Sequence, residues 1–198
     1  MTSQKKSYST TTNTVETIRN EATIFDLAHK SSPDLKVVIT SSPGQSSIEH
    51  FVEFMIEEGI TDIFNFCHPD AEKTPYDSKN LNQNGINVHR IAIDDGSSPK
   101  PLILGEFNLI IDDILNKLLD SEPKKGAILF HCEAGLGRAP TMLAYLMMTR
   151  YGWNNKRLDM ISEIRAKRRS AINIGQLKWI QNVDIKKVSN KQRKCIIL

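Results

Sequence analysis

A cysteine and an arginine separated by five residues are the side chains of this sequence best suited to carry a reaction. Cys132 and Arg138 enclose residues 133–137, between an apolar segment at 127–130, typical of a buried strand, and another at 141–148, typical of a buried helix. A glycine-containing loop between a strand and a helix N-terminus binds anions, because its backbone N–H groups and the helix dipole both present positive charge. The pattern therefore predicts an anion site.

A thiol and a guanidinium at such a site suit attack on phosphorus. A cysteine held among N–H donors near an arginine has a lowered pKa and reacts as the thiolate. Arg138 offers a planar fork that binds two phosphate oxygens. Attack by Cys132 on a held phosphoryl group would form a phosphocysteine and divide hydrolysis into two steps. The alternative is a buried cysteine in an ordinary turn.

The full string at 131–140, HCEAGLGRAP, resembles the signature loop of cysteine-dependent protein tyrosine and dual-specificity phosphatases. Its AGLGRAP portion resembles the phosphatase of regenerating liver family (protein tyrosine phosphatase type IVA), over about residues 33–198. This resemblance implies Cys132 as nucleophile, Arg138 as phosphate ligand, and no metal or cofactor. His131 is expected to orient the loop through backbone hydrogen bonds, or to be a plain structural histidine. The other residues expected to contact phosphate are Glu133, Ala134, Gly135, Leu136 and Gly137.

Strand and helix patterns alternate along the chain. They predict an α/β fold with a mainly parallel central sheet and helices on both faces, and the resemblance implies the dual-specificity phosphatase fold. Ligands of such sheets bind at the carboxyl ends of the strands, where the Cys132 loop lies. Ser46 or Ser47 is expected to cap a helix that ends at Gly59. Strands are expected at 23–27, 35–40, 61–66, 87–93 and 127–130, and further helices at 103–119, 141–148, 154–167 and 175–185.

Length and composition favour one globular domain. The chain has 198 residues, 39% of them hydrophobic, with a net charge of +3 and three cysteines, too few for a secreted disulfide framework. We see neither a secretory signal nor an apolar stretch long enough to span a bilayer. We predict a disordered Ser/Thr-rich extension at 1–21, a phosphatase domain at 22–185 and a polybasic tail at 186–198.

An acidic pair follows one predicted strand. A carboxylic acid above the site would protonate the leaving phenolate and then act as a base toward water. Asp94-Asp95-Gly96 opens a proline-bearing loop, although taken alone the motif is typical of a solvated turn. The resemblance implies that Asp95 is the general acid and that Asp94 supports it. The family's Trp-Pro-Phe before this pair is replaced here by residues 91–93, Ile-Ala-Ile.

Other positions depart from the common pattern or leave alternatives open. Ala139 stands where most related phosphatases have Ser or Thr, which predicts slow breakdown of the phosphocysteine. Glu133 is unusual, and it either weakens acidic substrates or points to solvent. Gln176 either positions water, as in many phosphatases, or is an exposed helix-start residue. The basic run 165–169 is more often a solvated helix end than a substrate groove.

Cys67 ends a predicted strand and is, on sequence grounds alone, a small core residue. The resemblance implies that it forms a reversible disulfide with Cys132, which protects a reactive thiolate from further oxidation. Residues 72–75, Glu-Lys-Thr-Pro, support this match because relatives have Asp-Lys-Thr-Pro after the same cysteine.

The chain ends in Cys195-Ile196-Ile197-Leu198, a prenylation signal at Cys195 in which the terminal Leu favours geranylgeranyl, whereas relatives usually carry farnesyl. Lys191, Arg193 and Lys194 precede it and supply the second contact that an anionic membrane surface requires. We therefore expect a lipid-anchored protein on the cytoplasmic face of plasma or endosomal membranes. Nucleic acid is a poorer partner for these charges.

Two functions are compatible with this sequence. The first is a phosphatase acting on phosphoproteins or phosphoinositides through Cys132, Arg138 and Asp95. The second, implied by the resemblance, is a regulatory module that binds cyclin M-type magnesium transporters and is switched by phosphorylation or oxidation of Cys132. Relatives also self-associate, so a homo-oligomer is a further expectation.

Overall fold

The computed structural model describes residues 14–44, 47–69 and 76–186. Within these ranges, five strands form one sheet in the order β1-β2-β5-β3-β4, in which only the β1–β2 pair is antiparallel. The mainly parallel sheet is thus confirmed. The strands are β1 Thr23–His29, β2 Ser32–Ser41, β3 Ile60–Asn65, β4 Asn87–Arg90 and β5 Lys125–Cys132.

Helices cover both faces of the sheet, as predicted. The first three, with Ile18, Phe51 and Leu81, bury one apolar cluster, and the last four bury the other. The α-helices are α1 Val15–Glu21, α2 Ile48–Glu57, α3 Ser78–Gln83, α4 Pro101–Leu119, α5 Arg138–Arg150, α6 Arg157–Lys167 and α7 Ile174–Asn182, with a 3₁₀ turn at Trp153–Asn155. Within the described residues, none of them has the length and apolarity needed to cross a membrane.

The central strand β5 delivers the reactive cysteine. Its side chains alternate between the two apolar clusters, with Ile128 and Phe130 on one face and Ala127 and Leu129 on the other. A parallel strand buried on both faces has a continuous apolar sequence, which explains the segment before Cys132. β5 pairs with β2 and β3, so Cys132 emerges at the sheet edge formed by their carboxyl ends.

The prediction of disorder at 1–21 is wrong for α1. Thr14 caps this helix by accepting a hydrogen bond from the backbone N–H of Thr17, and Ile18 is buried against α2. Arg19 also pairs with Glu57 at 2.7 Å. One buried side chain and a cap therefore hold a segment whose composition is mostly polar. Residues 1–13 and 187–198 lie outside the described residues.

Several predicted boundaries shift. Ser47 precedes α2 but makes no capping bond, because its hydroxyl donates to the Gly44 carbonyl at 3.0 Å, and Ser46 lies outside the described residues. α3 forms in a segment to which the sequence patterns assign neither helix nor strand, and Asp77 caps it. β4 ends at Arg90, three residues before the predicted end. Gly59 does end α2, with a positive φ of 70°.

Candidate active site

The loop between β5 and α5, residues 132–138, is here called the signature loop. Cys132 closes β5 and Arg138 is the first residue of α5, and both are buried. Gly135 adopts φ +66°, and a Cβ there would collide with the Thr40 carbonyl and lie 2.5 Å from Nη2 of Arg168. Only glycine fits this position, since both the backbone conformation and the close approach exclude a side chain.

The predicted acid and the predicted phosphate ligand lie in contact. Asp95 belongs to the loop at 94–100, here called the acid loop, and its Oδ1 is 3.1 Å from Nη2 of Arg138. Nη1 of the same guanidinium donates to the Ile93 carbonyl at 3.3 Å. The Arg138 side chain is 5% exposed and that of Asp95 is 83% exposed. The fold thus brings Asp95 over the anion site from a different part of the sequence.

Asp94 lies on the outer part of the acid loop. Its described ion pair joins Oδ2 to Nζ of Lys100 at 3.3 Å, and both side chains are largely exposed. This pair closes the loop on itself. Asp94 therefore supports the loop conformation, and its described ion pair involves neither Cys132 nor Arg138.

Gln176 is fully buried, so its interpretation as an exposed helix-start residue is wrong. It forms a capping box with Asn173 at the start of α7, and its Nε2 donates to the Ser97 carbonyl of the acid loop at 3.1 Å. A Cβ on Gly137 would be 3.1 Å from that same nitrogen. Gln176 therefore packs between the signature and acid loops. The Asn-x-x-Gln spacing was the sequence signal for this conformation.

His131 is buried beside the signature loop. Its Nε2 lies 2.8 Å from the Tyr76 hydroxyl, while its backbone carbonyl accepts from Phe66 N–H at 3.0 Å. Burial lowers the pKa of His131 to about 3, with a further contribution from the charges of Arg90 and Arg138. The ring is thus neutral and bonded to the Tyr76 side chain, while the backbone of His131 is bonded to Phe66. The predicted role in orienting the loop and the alternative of a plain structural histidine both stay open. Tyr76 was missed because it follows a segment without clear periodicity.

Arg168 is the second missed neighbour of the site. The run 165–169 was expected to be a solvated helix end, and this is wrong for Arg168, whose Nε donates to the Gly135 carbonyl at 2.6 Å. Burial lowers the pKa of this guanidinium, and attraction to Cys132 partly opposes that effect. The sequence carried no signal to separate this arginine from its neighbours.

The remaining predicted residues have mixed outcomes. Cys67 follows β3 and Cys132 ends the adjacent β5, and both side chains are buried. The redox pair stays a prediction. Glu133 is half-buried rather than directed freely into solvent. Ala139 is fully buried at the start of α5. Residues 72–75 and the prenylation position Cys195 lie outside the described residues.

Together these groups can perform phosphoryl transfer. A thiol at the base of a loop, a guanidinium beside it and a carboxyl above it supply a nucleophile, an anion ligand and a proton donor. No cluster of three or more metal-binding side chains occurs among the described residues.

Comparison with known proteins places this chain among phosphatases. A family described as "Polymorphic toxin system, DSP-PTPase phosphatase" matches residues 37–152. A protein tyrosine phosphatase PRL-1 of Leishmania major is 31% identical over 163 residues, which are 80% of this chain and 89% of the relative. The mouse protein tyrosine phosphatase type IVA 2 is 32% identical over 150 residues, 75% of this chain and 81% of the relative.

Solved structures agree with the fold. A protein tyrosine phosphatase structure from Leishmania major superposes with a TM-score of 0.71 at 31% identity, covering 82% of this chain and 98% of that chain. Kinase-associated phosphatase, solved with its catalytic cysteine replaced by serine, superposes with a TM-score of 0.60 at 20% identity, covering 87% and 95%. The second similarity concerns the fold alone.

Proposed function

Because this chain belongs to the PRL, or type IVA, family of protein tyrosine phosphatases, we propose that it hydrolyses phosphoprotein monoesters through a phosphocysteine on Cys132, with slow turnover. The members of this family are cysteine-dependent enzymes, and this chain has the same fold as a solved member. The single observation that carries the proposal is the 3.1 Å pair between Arg138 and Asp95 beside the buried Cys132.

The reaction divides into two displacements. The Cys132 thiolate attacks phosphorus while Arg138 and the backbone N–H groups of the signature loop hold the equatorial oxygens. A sulfur–phosphorus bond forms, the ester phosphorus–oxygen bond breaks, and Asp95 gives its proton to the departing phenolate oxygen. Water then attacks the phosphocysteine, its proton passes to the Asp95 carboxylate, and the thiolate leaves as phosphate is released.

Slow turnover is supported by Ala139. A hydroxyl after the arginine would hydrogen-bond the departing thiolate, and a methyl group donates no hydrogen bond. Ala139 is fully buried at the start of α5, where its methyl group packs in the core. Formation of the phosphocysteine should therefore be faster than its hydrolysis.

The substrate class and the location are finer proposals. Phosphotyrosine proteins fit the family. Phosphoinositides are the alternative substrate class that the proposed membrane anchor favours. We also propose prenylation at Cys195, which rests on sequence alone. Expression in a eukaryotic cell tests it: membrane association of the wild type that is lost in Cys195→Ser would support the anchor, and equal distribution would refute it. Binding to cyclin M-type transporters, self-association and the Cys67–Cys132 disulfide rest on the family resemblance.

The first experiment follows phenolate release when micromolar protein meets an aryl phosphate under reducing conditions. We expect a burst of about one equivalent followed by slow turnover, because the phosphocysteine formed in the first step must be hydrolysed before Cys132 can react again. Cys132→Ser should abolish the burst while the fold is kept. A folded, reduced wild-type protein with neither burst nor turnover would refute the catalytic proposal.

A further inference from the structure

Arg168 lies behind the signature loop and has no part in the reaction described above. It is the first residue beyond α6, and its side chain turns back toward the sheet rather than into solvent. Cations at helix C-termini usually remain exposed and interact with the helix dipole. Here the guanidinium is half-buried, so its position needs a different explanation.

The guanidinium joins two parts of the chain. On one side, Nε donates to the Gly135 carbonyl at 2.6 Å and Nη2 donates to the Ala134 carbonyl at 3.3 Å. On the other, Nη1 donates to the Thr23 hydroxyl at 2.9 Å and to the Glu21 carbonyl at 3.1 Å. A planar fork can hold several acceptors in fixed directions at once, which a lysine cannot do.

These bonds act on the backbone that forms the anion site. When the carbonyls of Ala134 and Gly135 point outward to Arg168, the N–H groups of the same stretch of loop are free to face inward. Gly135 supports this view, because its positive φ and its contact with Arg168 leave no room for a Cβ. The signature loop therefore packs tightly against the Arg168 guanidinium.

The positive charge of Arg168 supports the same role at the anion site. The Arg168 guanidinium is attracted electrostatically to Cys132 at the start of the loop. Arg138 supplies the first cation of the site and binds the ligand directly. Arg168 adds a second, fixed positive charge behind the loop, without any need to contact the substrate.

We infer that Arg168 is a positioning residue, which holds the first half of the signature loop in its phosphate-binding shape and braces it against the N-terminal segment at α1 and β1. The inference deepens the proposed function and rests on it. It predicts that loss of Arg168 weakens anion binding in the folded protein, beyond any loss of stability.

Four proteins test this: the wild type, Arg168→Ala, Arg168→Lys and Arg169→Ala. Arg169 is the adjacent exposed arginine, so its variant removes the same charge from the same region. Tungstate, a phosphate analogue, is titrated by calorimetry at a temperature where circular dichroism shows each variant to be folded. The KM for an aryl phosphate, the burst size and Tm are measured alongside.

We expect Arg168→Ala to raise the tungstate Kd and the KM together by about tenfold, because hydrogen bonds from a charged donor are lost. Arg168→Lys should recover only part of the affinity, since it keeps the charge but not the fork. Arg169→Ala should stay within about twofold of the wild type, because an exposed charge contributes little. The burst should remain about one equivalent, since the nucleophile is intact.

The inference is overturned if Arg168→Ala lowers Tm but leaves the tungstate Kd and the KM equal to those of Arg169→Ala, since the role is then only structural. Full recovery of tungstate affinity by Arg168→Lys would overturn the argument from guanidinium geometry, and the positive charge alone would explain the effect of Arg168. A wild type that binds tungstate but gives no burst would refute the proposed function, while the tungstate ratios still decide the inference. A wild type that does neither would refute both.

Discussion

The signature loop and the acid loop meet at one ion pair but are built in opposite ways. The signature loop connects a central strand to a buried helix, and the side chains at its ends, Cys132 and Arg138, are almost fully enclosed. The acid loop follows the edge strand β4, and the Asp95 side chain is 83% exposed. Its described anchors are single hydrogen bonds and ion pairs from Arg138, Asn173, Gln176 and Lys100.

This difference separates two parts of the chemistry. The signature loop must hold charge at fixed positions, and burial keeps those positions rigid and strengthens the electrostatics. The acid loop has to deliver a proton to leaving groups of varied shape, so an exposed position with few contacts suits it. Changes to the first loop should therefore affect every substrate, whereas changes to the second should depend on the leaving group.

The largest effect is expected for the nucleophile. Cys132→Ser should lower turnover of every aryl phosphate by about a thousandfold or more, because a serine at this site lacks the reactivity of a thiolate. Steady-state kinetics and the burst assay measure this. Tungstate binding should persist, since the loop backbone and Arg138 are unchanged. Comparable loss of tungstate binding would show that the variant has damaged the loop itself.

The acid should give the next largest effect. Asp95→Asn should slow the burst of phenol release from phenyl phosphate by about a hundredfold, since a general acid contributes about that much or more. With nitrophenyl phosphate, whose leaving group needs no proton, the burst rate should change by only a few-fold. Asp94→Asn is the matched control and should alter both rates little. An equal decrease for both substrates with Asp95→Asn would break the contrast between the loops.

Stability should depend on pH through His131. Its pKa is about 3 in the folded protein and near 6.5 when unfolded, so as pH falls through 6.5 only the unfolded state takes up the proton. Stability is therefore full above pH 6.5 and decreases below it, by about 2 kcal/mol between pH 7 and pH 5. The pKa of Asp62 is lowered from its ordinary value of 3.8, so this carboxyl affects stability only at a pH near or below 3.8, outside the interval from pH 7 to pH 5.

Urea unfolding at both pH values measures this difference. His131→Asn should remove most of the pH dependence, whereas His50→Gln, which changes an exposed histidine, should keep it. A wild type equally stable at pH 7 and pH 5 would show that His131 is protonated without cost, and that its surroundings open more readily than the buried geometry indicates.

Two glycines give the smallest effect and the most direct comparison. Gly135 and Gly96 both have a positive φ, of 66° and 70°, so alanine strains the backbone equally at each. At Gly135 the new Cβ also meets the Thr40 carbonyl, while at Gly96 the nearest atom is 3.8 Å away. Gly135→Ala should weaken tungstate binding by about tenfold, and Gly96→Ala should leave it unchanged while slowing the burst of phenol release from phenyl phosphate. Equal effects of the two substitutions on the tungstate Kd would contradict the difference in packing between Gly135 and Gly96.

Local sequence determined a large part of this molecule. The apolar segment before Cys132, the glycines of the signature loop and the helix signal after Arg138 predict a strand, an anion-binding turn and a helix, because each depends on neighbours in the chain. The mainly parallel sheet with helices on both faces follows from the same alternation of patterns. The assignment of Asp95 came from resemblance, since its motif alone describes a solvated turn.

Tertiary structure decided which distant residues serve the loop. Arg168 and the exposed Arg169 are adjacent and identical in type, and only the turn after α6 selects the first to bond the loop carbonyls. The neutral state of His131 depends on burial and on the charges of Arg90 and Arg138. The burial of Gln176 depends on α7 packing against both loops. Helix α1 likewise forms on a mostly polar segment because Ile18 finds a buried position against α2. Periodicity and propensity describe neighbours along the chain, whereas these contacts depend on how separate elements pack.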